Sequence, residues 1–378
     1  MRLLFLTGSR GEWGYIRPIL KLCRKRNIDF KLCVTNMHLL PAYGLSKKEI
    51  EADGFSIDEP IFMALQGSNH YTMAKSLGVC LMSLVDLLYR IRPDWVVLSG
   101  DRGEQLMGAV AGAYTNTPVA HIQAGEVSGN IDGQARHAIG KFVHMHFASN
   151  QDAADRLIRL GEEAHRVRLV GAPQLDELVQ GEYTGLSDLK EKYDFPFDVD
   201  FILVLQHPVT EEYDKARDQI DATLSALKQF AVPKFWIMPN NDAGNEIVRE
   251  GIVARRSADT FLIKNVKRQD FLGIMKACRC MVGNSSAGLL EAPTFKIPAV
   301  NIGRRQYKRV RGGNVIDVAD FDADRIVAAI RQAFSTEFRQ GLAGLSNPYG
   351  DGDSSERILE ILQNTKRDAK LLIKELTY

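Results

Sequence analysis

The sequence predicts two doubly wound α/β domains facing a cleft, and three observations lead there. Short apolar runs rich in β-branched and aromatic residues alternate with amphipathic stretches. That alternation occurs twice, on either side of a stretch carrying Pro173, Gly181, Gly185 and Pro196. A length of 378 residues suits two domains of ordinary size.

In the first half the expected strands are Leu3–Thr7, Phe30–Thr35, Trp95–Ser99, Val119–Gln123, His144–Ala148 and Val167–Gly171. Helical patterns lie between them, among them Met73–Tyr89, Gln105–Ala113 and Ala153–Leu160. The stretch Gly171–Phe197 reads as the bridge. A second series follows: Phe201–Gln206, Lys234–Pro239, Thr260–Ile263, Met281–Gly283, Pro298–Ile302 and Val315–Asp317. The last stretch, Ser354–Leu376, has one long helical pattern. The expected division is residues 1–175 with acid/base loops, 176–353 binding a nucleotide, and 354–378 as a helix crossing back to the first domain.

Composition narrows the function. Apolar residues make up 45% and charged residues 25%, the balance of a globular enzyme. With 48 Lys plus Arg against 47 Asp plus Glu, no basic excess points to nucleic acid. No continuous apolar run reaches the ~18 residues of a membrane span, so no membrane association is expected. Gly8-Ser9-Arg10 cuts the first apolar stretch too short for a signal peptide. Five cysteines form no even disulfide framework, and Cys278-x-Cys280 is too isolated for zinc. A reducing cytoplasm is the expected compartment.

Ligands of open parallel sheets bind beyond the strands' carboxyl ends, so the residues there carry the functional reading. Thr7-Gly8-Ser9-Arg10-Gly11-Glu12 follows the first strand; Arg10 could fork onto a phosphate or stand exposed on a tight turn. Asp101, after Trp95–Ser99, could act as a base or cap a helix. The densest group runs from His121 to His137 and holds Glu126, Asp132 and Arg136. Asp132 and Arg136 stand at i,i+4, so a helix puts them on one face. Acids, an arginine and a histidine on such a loop suit proton transfer. His144-x-His146 is better read as structural hydrogen bonding than as a metal site. His207 follows the first strand of the second series, with a structural or a phosphate and acid/base role. Finally, Gly283-Asn284-Ser285-Ser286 leads into Ala287-Gly288-Leu289-Leu290-Glu291. Amides and hydroxyls there could hold a phosphate, with Glu291 taking ribose hydroxyls; an ordinary helix cap is the alternative.

Taken together these motifs resemble the UDP-N-acetylglucosamine 2-epimerase family. The resemblance rests on Gly8-Ser9-Arg10, Gly100-Asp101-Arg102, Gly125-Glu126-Val127-Ser128-Gly129 with Ile131-Asp132, Arg136-His137-Ala138, Gly283-Asn284-Ser285-Ser286, Arg305-Gln306 and Gly312-Gly313-Asn314-Val315. Glu-Val-Ser-Gly, His-x-His and Gly-Asn-Ser-Ser look like its hydrolysing branch. The resemblance implies a glycosyltransferase-B-like pair of Rossmann-like domains, a homodimer or homotetramer, and no metal or redox cofactor. It implies conversion of UDP-N-acetylglucosamine to free N-acetylmannosamine and UDP, as in sialic acid biosynthesis. The alternatives are a UDP- or GDP-2,4-diacetamido-trideoxy sugar, as in legionaminic acid pathways, or a glycosyltransferase of the same fold. By resemblance Arg10, His207, Ser285 and Ser286 hold the nucleotide diphosphate and Glu291 the ribose, with Gly288 also in the nucleotide-binding set. Asp101, Glu126, Asp132, Arg136 and His207 form the catalytic set. One departure stands out: the family often has Glu where this chain has Gln123, and an amide cannot exchange a proton as a carboxylate does.

Overall fold

The computed structural model describes residues 1–41, 45–66, 70–127, 131–239 and 244–377, without the side chains of His70, Ile131, Asp132, Thr210 and Glu211. The chain divides into two compact units, Met1–Asp176 with Tyr349–Tyr378, and Glu177–Pro348.

The first unit is built on seven strands: β1 (Arg2–Thr7), β2 (Asp29–Thr35), β3 (Glu59–Ile61), β4 (Trp95–Ser99), β5 (Val119–Ile122), β6 (Met145–Ala148) and β7 (Val167–Leu169). Their order is β3-β2-β1-β4-β5-β6-β7, every pairing parallel. Side chains alternate across a strand, so each sheet face gathers its own core. Leu3, Phe5, Trp95 and Val97 face one layer, which takes in Ile358, Leu359 and Leu362 from the C-terminal segment. Leu4, Leu6, Val96 and Leu98 face the other. The second unit repeats the plan with β8 (Ile202–Leu205), β9 (Lys234–Ile237), β10 (Thr260–Ile263), β11 (Cys280–Gly283), β12 (Ala299–Ile302) and β13 (Val315–Val318), ordered β10-β9-β8-β11-β12-β13 and parallel throughout. In each sheet the strand order reverses between the first and fourth strands, β1/β4 and β8/β11. Such switch points open a crevice at the carboxyl edge.

Two sequence expectations change, and one helix has a further property. The long helix expected over Ser354–Leu376 is two helices, Ser354–Asn364 and Ala369–Leu372. Thr365 turns extended and its hydroxyl donates to the Ile361 carbonyl at 2.6 Å, while Asp368 starts the next helix by accepting from the Leu371 amide at 3.2 Å. Strand β3 is a further element at the sheet's edge, where Pro60 is tolerated because an edge strand has one unpaired side. The helix His70–Ile91 is long and apolar enough over Tyr71–Ile91 to cross a membrane by length and composition, although Lys75, Ser76, Ser83, Asp86 and Arg90 interrupt its apolar runs. Its Cys80, Leu84, Leu87 and Leu88 are buried in the first unit's core.

The C-terminal segment is held by ionic and hydrogen-bonding contacts as well as by packing. Buried Arg166 donates to three of its carbonyls, Leu371 at 2.7 Å, Lys370 at 2.9 Å and Ile373 at 2.7 Å. Glu162 accepts from Lys374 at 2.7 Å and from Lys141 at 2.9 Å, and pairs with His146 at 3.0 Å. These partners outweigh desolvation and hold the Glu162 carboxyl down at about 2. Within the His-x-His strand, His144 accepts from the Val119 amide at 3.0 Å, so both histidines have structural partners.

Candidate active site

At the first unit's switch point, β4 ends in Ser99 and the chain turns through Gly100, whose φ is +81°. Asp101 therefore stands at the carboxyl edge. It does not cap the following helix, Gly103–Tyr114, which begins after Arg102. Instead its carboxylate takes a charge-assisted hydrogen bond from Arg136, which is buried. Arg136 lies on the helix Ile131–Phe142, which also carries Asp132, so the expected i,i+4 pair shares one helix. The Asp132 side chain, Ser128 and Gly129 lie outside the described residues.

Arg136 is fixed at both ends of its fork, because it also donates to the Gln123 carbonyl at 2.8 Å. Desolvation pulls the guanidinium pKa down, but Asp101 and then Glu126 outweigh it and the net direction is up. Gln123 is buried with a φ of +59°, bending the chain sharply off β5. Gly125 continues that bend at φ +77°; a Cβ there would lie 2.3 Å from the Ala153 carbonyl oxygen. The bend carries buried Glu126 to Ser149, whose hydroxyl donates to it at the end of β6. His121 Nε2 meets the Gly100 carbonyl at 2.6 Å, and burial pushes its pKa down to about 3. A neutral His121 holds the Asp101 turn without adding charge. Asp101, Arg136 and Glu126 thus form one electrostatic group, suited to placing a carboxylate base beside a fixed cation.

Beneath the group lies a carboxyl pair with no evident sequence signal. Glu12 and Glu104 are both buried. Glu12 accepts from the Gly8 amide at 2.5 Å, and a Cβ on Gly8 would sit 2.1 Å from Glu104 Oε1. Desolvation, then the neighbouring Glu104, holds the Glu12 carboxyl well above the usual range. Gly8 is therefore a glycine because two carboxyl groups close on it. Ser9 caps the helix Arg10–Lys25, and half-exposed Arg10 pairs with Glu49 at 2.9 Å.

In the second unit Asn284 is the hub. Its side chain accepts from the His207 amide at 2.7 Å and donates to the His207 carbonyl at 2.8 Å, joining the ends of β8 and β11. Its own carbonyl accepts from Gln306 at 2.9 Å and Arg305 at 3.3 Å. Burial, then Arg305, pushes the half-buried His207 imidazolium down to about 3. A neutral imidazole there can donate or accept a hydrogen bond. Gly283 adopts φ +138°, and a Cβ on it would lie 2.0 Å from the Leu205 carbonyl oxygen.

The short helix Ala287–Leu290 starts after Ser286, whose hydroxyl makes no capping bond; Ser285 Oγ accepts from the Ala287 amide at 3.4 Å. Among the described residues the Ser285 and Ser286 amides have no protein acceptor, which leaves both donors for an anion. Gly288 packs on β12: a Cβ would be 3.1 Å from that of Ala299, and its carbonyl accepts from Asn314 at 3.1 Å. Packing accounts for that glycine. Glu291, at the end of this turn, is ion-paired with Arg268, a residue the motif reading did not single out. Among the described residues no cluster of His, Cys, Asp and Glu could hold a metal, and Cys278 and Cys280 are buried free thiols.

Two parallel doubly wound sheets with polar turns at their carboxyl edges define an α/β enzyme of the glycosyltransferase-B-like fold. The structure is similar to a crystal structure of UDP-GlcNAc 2-epimerase from Neisseria meningitidis bound to UDP-GlcNAc, with a TM-score of 0.84 and 18% identity over 97% of this chain and 100% of that one. The chain belongs to the UDP-N-acetylglucosamine 2-epimerase family, whose model matches residues 20–363, and to its hydrolysing branch. It is 36% identical to a UDP-N,N'-diacetylbacillosamine 2-epimerase (hydrolyzing) of Legionella pneumophila, over 99% of this chain and 98% of that one. It is 32% identical to a UDP-N-acetylglucosamine 2-epimerase of Neisseria meningitidis serogroup B, over 96% and 95% of the two chains.

Proposed function

We propose that this enzyme takes a UDP-activated 2,4-diacetamido-2,4,6-trideoxy sugar, inverts C2, and releases the free sugar and UDP. The observation that carries the substrate is the full-length similarity to the Legionella enzyme named for UDP-N,N'-diacetylbacillosamine. It favours that sugar over the N-acetylglucosamine expected from the motifs. The second reading, UDP-N-acetylglucosamine giving N-acetylmannosamine, is supported by the Neisseria relative.

The chemistry follows from the substrate. The C2–H of a pyranose is not beside a carbonyl and is a very weak acid. It can leave only as the C1–O bond breaks and its electron pair passes to the β-phosphate oxygen. The C2 proton goes to a carboxylate, for which Asp101, Glu126 and Asp132 are the candidates, and a C1=C2 double bond forms. Water then adds its oxygen to C1, giving up one proton to a carboxylate, while the C1=C2 electron pair takes a proton at C2 on the opposite face. Arg136 orders Asp101 for these transfers. We assign Ser285, Ser286 and His207 as hydrogen-bond donors to the departing diphosphate and Arg10 as its cation. Glu291 accepts the ribose hydroxyls. No step calls for a redox cofactor or a metal.

Incubation with UDP-sugars in heavy water tests this. Free 2-epimer carrying deuterium at C2, formed faster from the diacetamido substrate, supports the proposal. Preferred turnover of UDP-N-acetylglucosamine shifts the assignment to the second reading, and sugar transfer to an acceptor with C2 unlabelled overturns both.

We further propose a homo-oligomer. Met82, Val85 and Tyr89 lie at i, i+3 and i+7 on one helix and stand 65%, 38% and 75% exposed, an apolar row suited to a second copy. Light scattering on purified protein reads the state directly, and a monomer at micromolar concentration overturns it. Five buried thiols suit a reducing compartment, and we assign the enzyme to the cytoplasm.

A further inference from the structure

We propose that Arg268 is a positioning residue that locks Glu291 for the ribose and so makes the nucleotide site selective for ribonucleotides over 2′-deoxyribonucleotides. This rests on the reading of Glu291 as the ribose acceptor.

Both residues stand at the carboxyl edge of one sheet. Arg268 opens the helix Arg268–Ala277 that follows β10, and Glu291 ends the turn that follows β11. Their side chains form an ion pair, with Glu291 9% and Arg268 22% exposed. Neither backbone is loose. Within the first turn of the Arg268 helix, Asp270 accepts from Thr184 at 2.5 Å, Lys192 at 2.8 Å and Tyr193 at 2.9 Å. The Gln269 carbonyl accepts from the Thr184 amide at 3.0 Å. On the other side, Asn347 donates at 2.7 Å to the Leu290 carbonyl and at 2.7 Å to Thr294, next to Glu291.

A carboxylate that is to accept two vicinal hydroxyls must hold one rotamer. A glutamate left alone loses side-chain freedom when it does so. A planar guanidinium anchored on a pinned helix removes that cost beforehand, because it binds a carboxylate in a fixed plane. Arg268 engages Oε1. A carboxylate has about four acceptor positions, so capacity remains for a diol. A site built around a hydroxyl discriminates strongly against the analogue lacking it, since the acceptor is then left short of a donor.

The test is calorimetric binding of UDP and 2′-deoxy-UDP to the full-length enzyme. The parent should prefer UDP by at least about 10-fold. Arg268→Gln should bring the two affinities within about 2-fold, as should Glu291→Gln, while Arg268→Lys keeps an intermediate preference. The ratio is read on one preparation, so a reduced folded fraction cancels; Arg268→Ala provides a second variant if the first does not fold. An unchanged preference in the Arg268 variants overturns the positioning role and leaves the Glu291 reading intact. A parent that does not distinguish the two nucleotides overturns the Glu291 reading and this proposal with it.

Discussion

Arg136 bonds the Asp101 carboxylate with one nitrogen and the Gln123 carbonyl with another, tying the end of β4 to the bend after β5. Replacing Asp101 by Asn removes a proton acceptor while nearly keeping its shape. We expect kcat to fall by about 10²–10⁴ with UDP affinity retained, measured by steady-state kinetics and calorimetry. Arg136→Met should cost more, because it strands a carboxylate and a carbonyl. Unfolding in urea should show a loss on the order of 3 kcal/mol, and equal stability to the parent would remove Arg136 from this structural role.

Glu126 tests the consequence of Gln123. If Glu126 supplies the carboxylate that Gln123 cannot, Glu126→Gln abolishes turnover and preserves UDP binding. Ser149→Ala, which removes only the hydroxyl donated to Glu126, should reduce kcat by a smaller factor, about 3- to 30-fold for one lost hydrogen bond to a charge. Full activity in Glu126→Gln would reject the residue as essential.

Glu162 gives a pH signature. Its carboxyl is held at about 2, below the unfolded value of about 4.3. A depressed carboxylate stabilises the fold above the unfolded value, and that stabilisation fades as pH falls through the folded one. Glu162→Gln should therefore lose about 3 kcal/mol at pH 7, on the order of the linked shift. The gap between variant and parent should narrow as pH falls from about 4 towards 2. Denaturant midpoints across that range check it, and a gap that widens on acidification contradicts it.

Gly283→Ala should damage the second unit. The new Cβ would meet the Leu205 carbonyl oxygen at 2.0 Å with φ at +138°. Backbone strain alone costs about 1–3 kcal/mol. Loss of UDP binding should accompany a lower thermal midpoint; a variant as stable and as tight-binding as the parent would show that the turn relaxes freely.

Most of the sheet was legible because buried parallel strands read as short apolar runs between turns, and eleven further strands followed the same rule as β1. Strand β3 escaped it: three residues with a central proline carry no apolar period. The tail read as one helix because its apolar pattern runs on past Thr365 and Asp368, where local side-chain bonds break the backbone pattern. In the site, Asp101 and Glu126 were visible as polar residues soon after strands, and Arg136 through its i,i+4 spacing from Asp132. Glu12 and Glu104 were not, since each looks like an ordinary first-turn acid of a helix, and only the fold brings them to Gly8. Arg268 was silent for the same reason: its partner is 23 residues away in sequence, across a strand.

The first unit is discontinuous, and this orders its birth on the ribosome. Ile358, Leu359, Leu362 and Leu371 belong to its buried core, yet they are translated after all of Glu177–Pro348. The unit that starts first is thus completed last, with an open apolar face while the inserted unit emerges and closes as a contiguous stretch. A released chain truncated after Pro348 should carry a protease-resistant second unit on a first unit that is still sensitive.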